Sequence, residues 1–161
     1  MRNVLIFSAL LCLTACGFHL RGEATVPFST IFVSGPSGTS LTRSLTRVLA
    51  SSKVKLVDRQ EDAEVTLVIL NDTREKTILS LSGAGRAQEY ELRERVSFRI
   101  ITAKEPDLPA SEIVTLRTIS FNDAQVLAKE SEEALLYRDM ENDTVQQLLR
   151  RLQAAKNRPC A

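Results

Sequence analysis

The chain has 161 residues, of which 43% are hydrophobic and 25% are charged, and these proportions are typical of a globular protein with a real core. Its formal net charge is +1, and the predicted loss of residues 1–15, which include Arg2, leaves basic and acidic side chains in equal number. This balance argues against a general nucleic-acid-binding protein, which requires a clustered basic surface.

The N-terminus has the pattern of an export signal. Met1-Arg2-Asn3 is a short basic start, and residues 4–13 form an apolar run that only Ser8 interrupts. Such a run is too short to span a bilayer as a helix, which takes about twenty apolar residues. Residues 1–15 are therefore predicted to be a signal peptide that is removed on export.

The cleavage region, Leu13-Thr14-Ala15-Cys16-Gly17, resembles a bacterial lipobox. In a lipobox the peptide is cut before the cysteine and the thiol is acylated, so Cys16 is the predicted lipidation site; apart from this covalent lipid, no cofactor is predicted. Several acyl chains anchor a protein far more stably than one. Gly17, where an aspartate would resemble an inner-membrane retention signal, favours an outer-membrane lipoprotein that faces the periplasm. The alternative is an ordinary signal peptide with a cysteine at the cut by chance.

The first half of the mature chain predicts a tether, a strand and a helix. Residues 16–29 form the lipidated N-terminus and an extended tether, and residues 30–33 are a short β-rich run. After the turn cluster at 34–38, apolar side chains recur on one face of a helix capped by Thr39 or Ser40. These apolar residues are Leu41, Leu45, Val48 and Leu49. A short segment at 54–57 precedes the next long strand.

The middle of the chain predicts three long antiparallel strands. Residues 65–70 are apolar on both sides, which favours a central strand, and residues 82–86 are a glycine-rich hairpin turn. In the returning strand, apolar residues alternate with charged ones, so that one face is predicted to pack in the core and the other to face solvent. The apolar set is Tyr90, Leu92, Val96, Phe98 and Ile100. Residues 113–121 form the third long strand.

A long helix is predicted over residues 123–156. Its apolar stripe at a period near 3.6 contains Leu127, Ala134, Tyr137, Val145, Leu148, Leu149 and Leu152. Leu135, Leu136 and Met140 lie off that stripe, so they are predicted to be exposed and to contact a partner, unless loops cover them. The element order β-α-β-β-β-α predicts an α+β two-layer sandwich, with two helices on one face of a mostly antiparallel four-stranded sheet. The domain is predicted to span residues 30–156, with a flexible tail at 157–161.

The residue inventory argues against an enzyme. The only histidine, His19, lies beside the predicted anchor, so the domain has no Ser-His or Cys-His pair. No acidic spacing resembles a calcium loop, and no metal is predicted. Cys12 leaves with the signal and Cys16 carries lipid, so Cys160 has no intramolecular partner; it is either a free thiol on the tail or pairs with another chain.

The sequence resembles the LPS-assembly lipoprotein family, LptE. The resemblance rests mainly on Cys16-Gly17-Phe18-His19-Leu20-Arg21, the post-cysteine motif. Weaker matches are Ala87-Gln88-Glu89-Tyr90, Arg117-Thr118 with Asn122, and Leu127-Ala128-Lys129. The similarity covers nearly the whole mature chain, and the predicted order of elements agrees with the fold of this family.

The resemblance implies a plug inside the β-barrel of the LPS-assembly protein LptD, which helps the barrel fold and assists insertion of lipopolysaccharide into the outer leaflet. Basic residues at a hairpin and at the start of the last helix are associated with lipopolysaccharide in this family. Lys129 matches the second position, and Arg86 stands three residues after the place where the first would fall. The competing hypothesis is a periplasmic adaptor lipoprotein of another envelope complex that does not handle lipid.

Overall fold

A computed structural model describes residues 27–36, 38–102, 109–122 and 125–156. The predicted signal peptide, Cys16, the post-cysteine motif, Cys160 and the tail at 157–161 lie outside the described residues, and those predictions stay open.

The described chain forms an α+β fold with two helices and one sheet. In chain order the elements are β1 (Thr30–Ser34), α1 (Ser40–Ala50), β2 (Lys55–Leu56), a 3₁₀ turn (Gln60–Asp62), β3 (Val65–Leu81), β4 (Ala87–Thr102), β5 (Ser111–Ser120) and α2 (Val126–Lys156). The predicted class and both helices are confirmed.

The sheet has five strands in the order β2-β1-β3-β4-β5, so the prediction of four strands is wrong. The additional strand is β2, whose two residues pair in parallel with β1 and are too few to show an alternating pattern. β1 also runs parallel to β3, whereas β3, β4 and β5 form the predicted antiparallel meander. The sheet is therefore mixed, with its parallel part at the N-terminal edge.

A β-bulge at Leu70 changes which side chains of β3 face the helices. Before the bulge Val65, Leu67 and Ile69 are buried. The ladder pairs Ile69 with Phe98 and Asn71 with Ser97, so Leu70 is an extra residue without a partner on β4. An extra residue shifts the side-chain alternation by one. Three polar side chains consequently take the helix-facing positions beyond the bulge: Asp72, Arg74 and Lys76.

The first helix has the predicted face. The Thr39 side chain caps it by accepting a hydrogen bond from the Thr42 backbone N–H. Leu41, Leu45 and Leu49 are fully buried against the sheet, because positions i, i+4 and i+8 share one helix face. They join the main core, which contains residues of β1, β3, β4 and both helices.

The buried face of α2 changes position near the middle of the helix. In its first half the more buried positions are Lys129, Glu133, Leu136, Tyr137 and Met140. In the second half they are Glu141, Thr144, Val145, Leu148, Leu149 and Leu152. The helical periods of the two sets differ in phase by about one residue. At the middle of the helix, where the sets meet, Met140 and Glu141 are both buried.

This change of phase makes part of the predicted partner surface wrong. Met140 is fully buried, and Leu136 is partly buried beside it in a small core built on Leu92 and Ile119. Only Leu135 is exposed as predicted. A single 3.6-residue period drawn through the whole helix fits its second half, which packs on the main core, and misplaces its first half.

Candidate functional site

The β3–β4 hairpin ends in an ordered turn. The Ser82 backbone N–H donates to the Arg86 carbonyl at 2.7 Å, and the Gly85 N–H donates to the Ser82 carbonyl at 2.9 Å. The Ser82 hydroxyl accepts a further bond from the Arg86 N–H at 3.1 Å. Gly85 has φ +74°, a conformation that favours glycine. We call residues 77–86 the hairpin tip.

Lys129 lies in the first turns of α2 and already has two polar partners. Its Nζ donates to Glu132 Oε2 at 2.8 Å and to Ser120 Oγ at 3.1 Å. Its side chain is only 15% exposed. A phosphate that approached this ammonium would therefore compete with the Glu132 carboxylate.

The ladder places Lys129 and Arg86 at the same end of the sandwich. Ser120, which contacts Lys129, pairs with Glu89 across β5 and β4, and Glu89 lies three residues after Arg86. The Phe121 N–H also donates to the Gln88 carbonyl at 2.7 Å. The two predicted lipopolysaccharide-binding residues thus lie at the same end of the sandwich, and whether they bind that ligand stays a prediction.

A third cation, Lys76, is held inward from this end. Its Nζ lies 2.5 Å from Glu133 Oε2 on α2 and 4.4 Å from the ring centroid of Tyr90. Phe121 packs edge-on against Tyr90 with the ring centroids 5.5 Å apart. Lys76 therefore connects the hairpin to α2 through charge and aromatic contact.

A charged cluster that the sequence analysis missed lies between the main core and the small core. Arg74 Nε donates to Glu94 Oε1 at 3.0 Å, and Arg74 Nη2 donates to Glu141 Oε2 at 2.7 Å. Glu94 is fully buried and accepts a second bond from Thr144 Oγ1 at 2.9 Å. Ser44 Oγ of α1 donates to Glu141 Oε1 at 2.5 Å. This ion-pair cluster joins β3, β4 and both helices.

The alternation in β4 contained a signal for the cluster. Glu94 stands between Leu92 and Val96 at the spacing of the core face, so its position alone placed a carboxylate inside. Its partner Arg74 had no such signal, because the bulge at Leu70 sets which way Arg74 faces.

The environment moves the pKa values of the three carboxyls in different directions. Burial raises the pKa of Glu94, although bonds from Thr144 and Arg74 oppose it. Burial also raises the pKa of Asp72, whose Oδ1 is buried without a hydrogen-bond partner among the described residues. At Glu141 burial acts to raise the pKa, but hydrogen bonds from Ser40, Ser44 and Arg74 outweigh it and lower the pKa.

These shifts predict different pH profiles for two conservative variants. Glu141 stabilises the fold above its ordinary pKa, and this contribution disappears as the pH falls through its lowered value. Glu141→Gln should therefore be less stable than the unmodified chain at pH 7, and the difference in stability should disappear in acid. Because its pKa is raised, Glu94 takes up a proton in the folded state at a higher pH than in the unfolded state. Protonation of Glu94 therefore favours folding as the pH falls.

The Gln side chain of Glu94→Gln cannot take up this proton. The stability of the variant should therefore fall more steeply on acidification than that of the unmodified chain. Urea unfolding of both variants and of the unmodified chain from pH 7 to about pH 2 measures this. Parallel profiles for the two variants would contradict the opposite pKa directions.

The described residues contain no group of three or more His, Cys, Asp or Glu side chains placed to hold a metal ion. In the same part of the chain neither helix combines the length and the apolar character that a membrane span requires.

The family comparison covers the folded part of the chain. The model of the LptE family, described as "Lipopolysaccharide-assembly", matches residues 28–152, which run from Phe28, two residues before β1, to the last buried leucine of α2. The chain belongs to the LptE family. A curated relative, the LPS-assembly lipoprotein LptE of Pectobacterium atrosepticum, is 31% identical over 161 residues, covering 93% of this chain and 86% of its own length.

Solved structures share the fold of this LptE-family chain. Uncharacterized lipoprotein B of Nitrosomonas europaea, solved by NMR, has a TM-score of 0.76 and 40% identity, covering 87% of this chain and 92% of its own. The rare lipoprotein B of Shewanella oneidensis, a crystal structure, has a TM-score of 0.69 and 27% identity, covering 79% and 96%. The sandwich is thus that of lipoproteins with an LptE-like fold.

Proposed function

We propose that this chain is a non-catalytic lipoprotein of lipopolysaccharide assembly at the outer membrane. The observation that carries the proposal is the LptE family match over residues 28–152, which include both helices and all five strands up to the last turn of α2. The relative from Pectobacterium atrosepticum carries the same role in its name.

The described chain begins at the end of the sandwich opposite the hairpin tip. The chain enters the described fold beside the start of β3, where Ser29 N–H donates to Glu64 Oε2 at 2.7 Å. β3 then runs 17 residues to the tip, a length of about 50 Å. A lipid on Cys16 would be joined to the domain at this entry point, whereas Arg86 and Lys129 lie at the other end of the sandwich.

The proposed partner is the LptD barrel, with this chain in its lumen. Two surfaces are available for such a wall. One is the outer side of α2 with Leu135, which is exposed. The other is the face of β4 and β5 away from the helices, where Arg93 and Arg95 pair across the ladder with the exposed Leu116 and Val114.

Lipopolysaccharide is proposed to place a phosphate near Lys129 and Arg86. Lysine and arginine bind phosphate through charge-assisted hydrogen bonds, and the N-terminal end of α2 adds a partial positive charge. The Lys129 ammonium donates a hydrogen bond to the Glu132 carboxylate, so a phosphate that binds Lys129 has to displace this carboxylate. The Lys129–Glu132 ion pair also favours a second candidate function, that of an adaptor in which Lys129 only stabilises the first turns of α2.

One set of variants separates the two functions. Lys129→Met with Arg86→Gln should lower the affinity for purified lipopolysaccharide by tenfold or more, on the order expected for charge-assisted bonds. Glu132→Gln should raise the affinity, because it removes the competing carboxylate. Added salt should weaken the binding of lipopolysaccharide to the unmodified chain. Lys55→Met, an exposed lysine in β2, is the matched control and should bind normally.

Affinity that does not change in any of these variants would support the adaptor function. Thermal melting of each protein is the check that the fold is intact.

A further inference from the structure

The helix layer is basic where it covers the main core. Residues 24–57, which include all of α1, contain no acidic side chain, and neither do residues 144–161. The leucines on the inner side of these two segments belong to the main core, so the segments lie side by side over the same part of the sheet. Their outer side carries four exposed cations, which we call the basic face: Arg43, Arg47, Lys53 and Arg150.

Within the described ranges no carboxylate pairs with the basic face. All four of its side chains are exposed, and none of them takes part in an ion pair or a side-chain hydrogen bond there. The first half of α2 has the opposite character, because residues 126–140 contain four acidic and two basic side chains. The charge of the helix layer therefore changes sign from the main core to the small core.

Helix stability explains only part of this arrangement. A cation in the last turn of a helix is favourable, which accounts for Arg47 in α1. Arg43 lies at the end of the first turn, where the helix dipole disfavours a cation and no acidic residue compensates it. Arg43 and Arg47 also stand four positions apart, a spacing at which like charges repel. An anionic surface bound to α1 would remove this repulsion.

The surroundings of the basic face favour phosphate headgroups over a protein partner. The core of a protein interface is rich in aromatic and apolar side chains and depleted of charged ones. In the described chain no exposed large hydrophobic residue lies on α1 or on α2 beyond Met140. Guanidinium groups without apolar anchors suit a layer of phosphates, which arginine binds through two parallel hydrogen bonds.

The basic face lies on the half of the sandwich where the described chain begins. Phe28 and Ile31 belong to the same core as Leu45 of α1 and Leu148 of α2. Cys16 and Pro27 are eleven positions apart, so an extended tether between them spans at most about 40 Å. A lipid on Cys16, as proposed above, would keep this half of the domain within that distance of the bilayer.

We infer that the basic face binds anionic phospholipid headgroups of the membrane to which the chain is anchored. This inference goes beyond the proposed function, because it concerns another surface than that of Arg86 and Lys129 and another lipid. The same anionic headgroups repel the acidic side chains of residues 126–140. The domain is thus oriented with its main core near the bilayer and its hairpin tip away from it.

The test measures binding to vesicles by the predicted mature chain, residues 16–161. It carries Cys16→Ala, so that no acyl group enters the bilayer. Vesicles of phosphatidylcholine alone are compared with vesicles of phosphatidylcholine and phosphatidylglycerol in equal parts. The chain should bind only the anionic vesicles, and added salt should release it, because salt screens charges that are exposed to solvent.

Three arginines of the basic face are then changed together. Arg43→Gln with Arg47→Gln and Arg150→Gln should lower the affinity for the anionic vesicles about a hundredfold, at roughly fivefold for each cation near the surface. Lysine at the same three positions should keep most of the affinity, since the positive charge is retained. Thermal melting should show that neither triple variant is less stable than the parent chain.

A second triple variant with the same net charge is the matched control. Arg93→Gln, Arg95→Gln and Arg99→Gln remove three arginines from the face of β4 that lies away from the helices. Its affinity for the anionic vesicles should stay close to that of the parent chain. Equal loss in the two glutamine variants would show that net charge alone sets the affinity, and the inference would be wrong.

Three further results would overturn the inference. The first is absence of binding to the anionic vesicles at low salt, and the second is equal binding to phosphatidylcholine alone. The third is normal vesicle binding by the basic-face variant together with poor co-purification of the proposed barrel partner, which would assign the face to a protein wall. None of these results affects phosphate recognition at Arg86 and Lys129, which titration with purified lipopolysaccharide tests separately.

Discussion

Leu148→Asp is expected to unfold the domain. Leu148 is fully buried on the inner face of α2, in the main core with Phe98 of β4 and Leu45 of α1. An unpaired carboxylate in an apolar site costs several kcal/mol, which is comparable to the whole stability of a domain, about 5–15 kcal/mol. Circular dichroism and thermal melting should show loss of the cooperative transition.

Leu135→Asp is the matched control for that variant, because Leu135 is an exposed leucine of the same helix. Its melting temperature should stay near that of the unmodified chain. Leu136→Asp should fall between the two, since Leu136 is half-buried against the small core. Equal destabilisation at Leu148 and Leu135 would mean that α2 is buried on all sides.

Arg74→Met should be the most destabilising change at a charged residue. It removes the cation that Glu94 and Glu141 share and leaves two poorly solvated carboxylates near Asp72. The Arg74 side chain is 35% exposed, so the cost is lower than for a fully buried ion pair; leaving two desolvated carboxylates without their cation costs about 1–3 kcal/mol. The variant should regain stability as the pH falls from 7, because the stranded carboxyls then protonate. Urea unfolding at pH 7 and pH 5 measures both effects.

Arg93→Met provides the comparison on the opposite face of the sheet. The Arg93 side chain is about as exposed as that of Arg74, but its partner Glu91, at 2.8 Å, is also partly solvated, and such pairs contribute about 0–1 kcal/mol. A loss at Arg93 as large as that at Arg74 would show that burial of the carboxylate partners is not what makes the cluster sensitive. Arg74→Met combined with Glu94→Leu and Glu141→Leu should recover part of the stability, because Asp72 is then the only carboxyl of the cluster that Arg74 no longer neutralises.

The ion-pair cluster explains how two separate apolar cores belong to one fold. Arg74 bonds Glu94 of β4 and Glu141 of α2, and Glu141 in turn accepts from Ser44 of α1. These bonds have few geometries in which all groups are satisfied, so they fix where α2 lies over the sheet. We expect this partly buried network to contribute specificity of packing more than net stability.

Local periodicity accounts for the parts of the fold that the sequence predicted. Alternation at Leu92, Val96 and Phe98 depends only on the pleat of one strand, and it gave the correct core face of β4. The 11-residue helix α1 is short enough that one period describes it throughout, and its three buried leucines were predicted. The glycine-rich turn at 82–86 likewise follows from local backbone preference.

The tertiary structure alone decided the features that depend on how elements meet. Nothing local in β3 marks Leu70 as a bulge, yet that extra residue turns Arg74 and Lys76 toward the helices and creates the ion-pair cluster. The 31-residue helix α2 packs on two cores in succession, so its buried face shifts by one residue and Met140 becomes interior. Alternation and helical period are properties of a single segment, whereas a bulge and a change of helix phase are set by the partner against which each segment packs.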